Sequence, residues 1–137
     1  MQKLRKFSLL LCCCLLFGGC KAGQKPLRLV TKISITDQTG FTHQYTQPQA
    51  IETILYYLRS LDTLGLPDTD PERIIGDHYR ILLEYSDGQR SVYHQRANRF
   101  LSRDSHPWQK VSPQQAALLG PLLKGLDQGL VTDTQST

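Results

Sequence analysis

The stretch HYRILLEYSDGQRSVYHQ, residues 78–95, decides the fold. Residues 78–85 are rich in Tyr, Ile and Leu and predict a strand, and residues 90–95 predict the strand that returns beside it. Asp87-Gly88 is a strong signal for a two-residue hairpin turn. Counting back from that turn pairs Leu83 with Val92, and Ile81 with His94. An antiparallel sheet is therefore the centre of the predicted fold.

Further strands extend this sheet on both sides. Residues 27–36 alternate between apolar and polar side chains, which predicts a half-buried strand. Its apolar face carries Leu27, Leu29, Thr31, Ile33 and Ile35. Residues 37–40 have turn chemistry, and residues 41–45 alternate again to form a hairpin. Ala97-Asn98 predicts a tight turn into a last strand at Phe100-Leu101, so we expect about five strands.

Two leucine- and isoleucine-rich segments predict helices. The first opens at residues 46–49, where Thr46 can cap the helix and Pro48 suits its first turn. Its apolar stripe consists of Ala50, Ile51, Ile54, Leu55, Leu58 and Leu61. The second opens at Ser112-Pro113, carries Leu118, Leu119, Leu122 and Leu123, and should kink or end early at Pro121. The predicted order is ββαβββα, an α+β domain with both helices on one face of the sheet.

The first twenty residues have the layout of a secretory signal peptide. Lys3, Arg5 and Lys6 precede an apolar run at residues 8–17, and Gly18-Gly19 supplies small residues before a cysteine. The uncharged stretch from residue 7 to residue 20 contains 14 residues. A transmembrane helix needs about 20, so the pattern favours a cleaved signal over an uncleaved anchor.

The segment Phe17-Gly18-Gly19-Cys20 resembles the cleavage site of bacterial prolipoproteins, with Phe17 where Leu is usual. The resemblance implies that Cys20 receives a diacylglycerol, becomes the first residue after cleavage and is often acylated again, for example by palmitate. Two or three acyl chains anchor a protein stably. The resemblance to prolipoproteins therefore implies a signal peptide at 1–19, a lipidated tether at 20–26 and a location at the extracytoplasmic face of the cell membrane.

The rest of the chain is similar to small uncharacterised lipoproteins of Gram-positive bacteria. The similarity lies in Gly76-Asp77-His78-Tyr79, Ser86-Asp87-Gly88, Tyr93-x-Gln95, Phe100, Trp108 and the leucine-rich terminal helix. It covers most of residues 27–125 and implies kinship without any catalytic residue. We predict one domain at 27–126, a flexible tail at 127–137, and a core role for Trp108 between the sheet and the second helix.

Composition limits the functional classes. Three of the 16 basic residues and none of the 12 acidic residues precede Cys20, so the net charge beyond it is only about +1. We therefore do not expect a nucleic-acid partner. All four cysteines lie at or before Cys20. The domain consequently has no disulfide, no thiolate metal site and no cysteine nucleophile.

Three further patterns fall short of a metal or catalytic site. In the loop at 62–77, Asp68, Asp70 and Glu72 occupy every second position, as the oxygen ligands of a calcium-binding loop do. Pro71 interrupts this series, and the Gly and the bidentate Glu that such a loop requires are missing. The four histidines lack zinc spacing, and the predicted pairing leaves His78 and His94 at different strand ends. Ser102, Asp104, Ser105 and His106 lack a nucleophile elbow and a phosphate-binding glycine loop. We predict no metal, no cofactor and no enzymatic activity.

Arginines on three successive strands form the remaining candidate site. The candidate partner-binding face consists of Arg80, Arg90, Arg96, Arg99 and Arg103, with Tyr93 among them. Their planar guanidinium groups suit phosphate or carboxylate. A solvated face that discourages edge pairing is the alternative, and the low net charge favours it.

The sequence as a whole predicts a non-enzymatic binding or interaction module held at the membrane by the lipid on Cys20. Its partner would be an envelope protein or an anionic ligand. Two alternatives remain open. One is an exported inhibitor or accessory subunit of another envelope protein, and the other is a small hydrolase.

Overall fold

The computed structural model describes residues 28–129. Residues 1–27 and 130–137 contain the predicted signal peptide, Cys20, the tether and most of the predicted tail, so these features lie outside the described residues. Between residues 28 and 129, no helix combines the length and the apolar character that crossing a membrane requires.

A single antiparallel sheet of seven strands carries two main helices on one side. The strands are β1 Val30–Thr36, β2 Thr42–Tyr45, β3 Thr63–Gly65, β4 His78–Tyr85, β5 Arg90–Arg96, β6 Phe100–Arg103 and β7 Gln109–Val111. The helices are α1 Pro48–Ser60, the short α2 Pro113–Ala116 and α3 Leu119–Asp127, and a 3₁₀ turn spans Pro71–Arg73. The spatial order is β2-β1-β4-β5-β6-β7-β3. The α+β class and the antiparallel sheet are confirmed, whereas the count of about five strands and the order ββαβββα are wrong.

The two strands missing from the prediction, β3 and β7, pair with each other at one edge of the sheet. Each has three residues, which is too short for an alternating pattern to be recognised. β3 lies inside the loop predicted at 62–77, and the 3₁₀ turn orders a second part of that loop. The segment is therefore partly ordered, in agreement with the rarity of structureless loops of this length in compact domains.

The β4–β5 hairpin is shifted by one residue from the predicted register. The observed pairs are Leu83 with Ser91, Leu82 with Val92 and Ile81 with Tyr93. The loop has three residues because Gly88 adopts a φ of +84° and donates its N–H to the Tyr85 carbonyl at 3.0 Å. A left-handed glycine at the third loop position is typical of a turn followed by a β-bulge. The shift changes which residues of β5 share a face with each residue of β4.

The core lies on the front face of the sheet, which we define as the face covered by α1 and α3. Two central strands bury alternate residues there almost completely, namely Ile33, Ile35, Ile81 and Leu83. The helices contribute Ala50, Ile51, Ile54 and Tyr57 from α1, and Leu119 and Leu123 from α3. Both predicted apolar stripes therefore face the sheet, although Leu118 is 58 % exposed.

The helix ends differ from the prediction in three places. α1 has Gln47 as its N-cap and no side-chain cap, so Thr46 does not cap it. Pro121 lies in the first turn of α3, where a missing N–H interrupts no helical hydrogen bond, and the chain breaks instead at residues 117–118. α3 runs through Asp127, which the sequence assigned to the tail.

A buried polar bridge joins β5 to two helices. Gln95 is fully buried, and its Nε2 donates to the Ala116 carbonyl at 3.0 Å. Its Oε1 accepts a hydrogen bond from the hydroxyl of Tyr57. Burial raises the pKa of Tyr57, so the hydroxyl stays protonated and remains a donor. The bridge fixes β5 against α1 and α2.

Candidate functional site

Four charged or titratable side chains form a square on the back face of the sheet, opposite α1 and α3. His78 and Arg80 lie on β4, and His94 and Arg96 lie on β5. His78 pairs directly with Arg96, and Arg80 pairs directly with His94, so each histidine has an arginine across from it. Strand alternation places all four on the face away from the core residue Ile81.

Trp108 lies beside this square. Its ring centroid is 6.4 Å from that of His94, and the guanidinium carbon of Arg96 is 5.9 Å from the Trp108 ring centroid. The second distance is within cation–π range. We call His78, Arg80, His94, Arg96 and Trp108 the back-face cluster.

Two predictions about these residues are wrong. Trp108 is half-buried and does not belong to the core, because it packs on the back face. The histidines do not lie at different strand ends, because the extra loop residue brings the ring centroids of His78 and His94 to 6.1 Å.

The loop before β4 packs over one end of the back face. Nη1 of Arg96 donates to the backbone carbonyl of Glu72 at 3.4 Å. Gly76 approaches Ala97 so closely that an added Cβ would lie 2.9 Å from the Ala97 Cβ. Asp68 lies 3.9 Å from Arg99. In residues 28–129, no three His, Asp or Glu side chains are placed to share a metal ion.

Charge pairing separates the arginines into two groups. Those with a carboxylate at ion-pair distance are Arg28, Arg59, Arg73, Arg90, Arg99 and Arg103. Within the described part of the chain, Arg80 and Arg96 are the arginines that have no such carboxylate. Both belong to the back-face cluster, whose positive charge is therefore not paired with a carboxylate of residues 28–129.

The residues of the predicted partner-binding face do not share one face. Arg80, Arg90 and Arg96 lie on the back face, but Arg90 is at the far end of β5 and pairs with Glu84. Tyr93 and Arg103 lie opposite each other on the front face, with the guanidinium carbon 5.5 Å from the ring centroid. Arg99 lies in the β5–β6 turn, 5.3 Å from the Phe100 ring centroid. The structure brings together only Arg80 and Arg96, beside two histidines.

Two polar atoms of the cluster are buried without a hydrogen-bond partner among the described residues, Nε of Arg96 and Nε2 of His78. The Nε atom of an arginine always carries a hydrogen, so it is a donor without an acceptor. A buried donor in that state is energetically unfavourable. An acceptor that reached this nitrogen would relieve it.

The histidines of the cluster are held in the neutral form. Burial, followed by the charge of Arg96, lowers the pKa of His78. Burial, followed by the charges of Arg80 and Arg96, lowers the pKa of His94. Both imidazoles are therefore uncharged at pH 7, and each has one ring N–H to donate.

A second polar cluster joins β2 to the end of α3. Nδ1 of His43 lies 2.7 Å from Oδ2 of Asp127, and the hydroxyl of Tyr45 donates to Oδ1 of Asp127 at 2.8 Å. Nε2 of His43 lies 3.6 Å from Oδ2 of Asp37. These groups satisfy one another, which is typical of a structural contact.

The Ser-Asp-His letters at 102–106 do not assemble into a catalytic triad. Asp104 accepts hydrogen bonds from the backbone N–H of Val92 at 2.9 Å and from the hydroxyl of Ser91 at 3.0 Å. The Val92 bond is the largest cause of the lowered pKa of Asp104. Nδ1 of His106 lies 3.0 Å from the Arg103 carbonyl. Asp104 thus fixes the turn after β6.

A repeated pattern in the sequence indicates the back-face cluster, whereas the arginine positions alone do not. The pattern His-x-Arg occurs at 78–80 and again at 94–96. In two adjacent antiparallel strands, such a repeat can place each histidine opposite an arginine. The cluster becomes evident only with the correct register, because the predicted pairing of Ile81 with His94 puts the two His-x-Arg patterns on opposite faces of the sheet.

Comparisons with protein-family models, with curated proteins and with solved structures each find no match. The functional interpretation therefore rests on the chain's own residues. The similarity to bacterial lipoproteins stays a prediction from the sequence.

Proposed function

We propose that this protein is a membrane-anchored extracytoplasmic lipoprotein whose domain binds an anionic partner through the back-face cluster, without catalysing a reaction. The observation that carries the proposal is the charge of Arg80 and Arg96, which no carboxylate of the described residues pairs with, beside two neutral histidines. A partner with negative charge would neutralise these guanidinium groups and accept their hydrogen bonds.

The chemistry of the cluster supports binding. Guanidinium groups offer planar forks that match phosphate and carboxylate oxygens, and imidazole N–H groups add neutral donors. In the described residues, neither His78 nor His94 is hydrogen-bonded to a serine or a carboxylate that would activate it. The cluster can therefore hold and orient an anion.

The predicted anchor supports a role close to the membrane. The segment from Cys20 to Arg28 spans at most roughly 30 Å when fully extended. A domain tethered by so short a segment stays near the lipid surface and meets the envelope components attached there. The partner we propose is therefore an envelope component that carries acidic groups.

Binding of soluble anionic polymers to the full-length protein tests the proposal. The protein is reconstituted in phosphatidylcholine vesicles and titrated with polyglutamate and with polyphosphate at several salt concentrations. We expect saturable, salt-sensitive binding of at least one polymer, and loss of that binding in Arg80→Gln/Arg96→Gln.

The matched control is Arg90→Gln/Arg99→Gln, which removes the same charge from paired arginines outside the cluster. It should bind the polymer as the unmodified protein does. Equal binding by both double variants, or none by the unmodified protein, would contradict the proposal.

A further inference from the structure

The back-face cluster has a geometry that distinguishes between anions. Its four strand residues lie in two adjacent cross-strand pairs, with Arg80 and Arg96 at diagonal corners and the histidines at the other two. Directly opposite residues lie about 5 Å apart at Cα, and diagonal neighbours lie about 7–8 Å apart. The four side chains therefore project from the same face of the sheet, around one space on its surface.

Charge and shape favour the same ligand group. Arg80 and Arg96 supply two positive charges without carboxylate partners in the described residues. A phosphate monoester carries about −1.5 to −2 charges near neutral pH and has three terminal oxygens arranged as a pyramid. A carboxylate carries one charge and has two oxygens in one plane. Four donor side chains around one space fit the pyramidal group better than the planar one.

We propose that the back-face cluster binds a phosphoryl group, with Arg80 and Arg96 contacting its oxygens from diagonal corners. The inference rests on the proposed function and names the chemical class of its ligand. His94 lies between the two arginines and donates a neutral N–H. The buried Nε of Arg96, which has no acceptor among the described residues, gains one when a phosphoryl oxygen enters.

The chain provides its own reporter for this site. Trp108 is the one tryptophan in the sequence, and it lies within contact range of both His94 and Arg96. Its fluorescence should therefore change when an anion occupies the cluster. The full-length protein in phosphatidylcholine vesicles is titrated at pH 7.5 and constant ionic strength with inorganic phosphate, sulfate and succinate.

These three probes separate shape from charge, because all carry close to two negative charges at that pH. We expect phosphate and sulfate to give saturable changes with dissociation constants within about threefold of each other, and succinate to bind at least tenfold more weakly. Arg96→Lys keeps the charge but loses the planar fork, so phosphate should bind about tenfold more weakly. The matched control Arg90→Gln should bind as the unmodified protein does.

A second arm identifies the source of the phosphoryl group. Vesicles containing phosphatidic acid present the group on a lipid, and vesicles containing phosphatidylglycerol present only a diester. A change of Trp108 fluorescence with phosphatidic acid, without added phosphate, supports a lipid headgroup as ligand. The same change only with soluble phosphate supports a soluble or polymeric phosphate ester.

The failures of the two proposals are distinguishable. Succinate binding as tightly as phosphate overturns the phosphoryl inference and leaves an anion-binding module in place. Fluorescence that no anion changes overturns the phosphoryl site, and the polymer titration then decides whether the proposed function also fails. A loss of phosphate binding in Arg90→Gln as large as that in Arg96→Lys also overturns the site, because binding would then not depend on the guanidinium group of the cluster.

Discussion

Tyr57 of α1 donates a hydrogen bond to the fully buried Oε1 of Gln95 on β5. The bond crosses from helix to sheet inside the core, where water cannot replace either partner. Its neighbour in sequence, Tyr56, points outward and is 71 % exposed. Two adjacent tyrosines therefore have opposite roles in the same helix.

The first prediction compares these two tyrosines. Tyr57→Phe leaves the Gln95 amide oxygen unsatisfied, so we expect a loss of about 1–3 kcal/mol in the free energy of unfolding. Tyr56→Phe should change it by no more than about 0.5 kcal/mol. Urea denaturation of a soluble form beginning at residue 21 measures both. Equal changes in the free energy of unfolding for the two variants would show that the buried hydrogen bond does not contribute to stability.

The second prediction concerns the aromatic residues on the back face. Phe100 is fully buried, and Phe100→Ala should cost about 3–5 kcal/mol of stability. Trp108 is only half-buried, so Trp108→Ala should cost about 1–2 kcal/mol while weakening anion binding. Denaturation curves and polymer titrations provide the two measurements. If Trp108→Ala lowered the free energy of unfolding as much as Phe100→Ala does, Trp108 would have the core role that the sequence predicted.

Local patterns were enough to predict much of the fold. The alternation in β1, the turn at 37–40 and the strand at 78–85 all agree with the structure. The apolar spacing of α1 predicts the helix but not which tyrosine is buried, because Tyr56 and Tyr57 both flank the stripe. Local sequence patterns therefore predict where the helices and strands form, but not which of their side chains contact one another.

The candidate site depended on information that local patterns do not contain. The position of Gly88 as third loop residue shifts β5 by one, and that shift aligns the two His-x-Arg repeats. Among the arginines of residues 28–129, Arg80 and Arg96 are the ones with no carboxylate at ion-pair distance, and this depends on the folded chain. The contact between His43 and Asp127 likewise joins residues far apart in sequence.

The third prediction uses two glycines with opposite surroundings. An added Cβ at Gly76 would lie 2.9 Å from that of Ala97, and the φ of Gly76 is +154°. Gly76→Ala should therefore cost about 1–3 kcal/mol and loosen the loop over the back face. Gly125 lies in α3 with open space around its Cβ position, so Gly125→Ala should stabilise the domain by about 0.5–1 kcal/mol. Thermal unfolding measures both, and a neutral Gly76→Ala would contradict the close approach.

The fourth prediction concerns the proposed membrane anchor. Cys20 follows Gly18-Gly19 at the end of the apolar run, so Cys20→Ala should abolish fatty-acid labelling and leave the precursor uncleaved. Metabolic labelling with an alkyne fatty acid measures this. Changing Cys12, Cys13 and Cys14 together is the control and should leave labelling intact. Loss of labelling only in that triple variant would assign the lipid elsewhere.

The last prediction follows from the lowered pKa values of His78 and His94. Because each pKa is lower in the folded state than the ordinary value of about 6.5, the unfolded chain binds more protons as the pH falls below that value. The free energy of unfolding should therefore decrease as the pH falls from 7 toward 5.

The double variant His78→Gln/His94→Gln should show a shallower decrease over the same interval, as measured by urea denaturation at each pH. Asp37 and Asp104 do not interfere, because hydrogen bonds from Thr39 and Val92 respectively lower their pKa values below 3.8, outside this interval. His106→Gln, at an exposed histidine whose Nδ1 lies 3.0 Å from the Arg103 carbonyl, is the matched control. If the double variant keeps the full slope, the back-face histidines are not the groups that take up protons on unfolding, and the electrostatic description of the cluster is wrong.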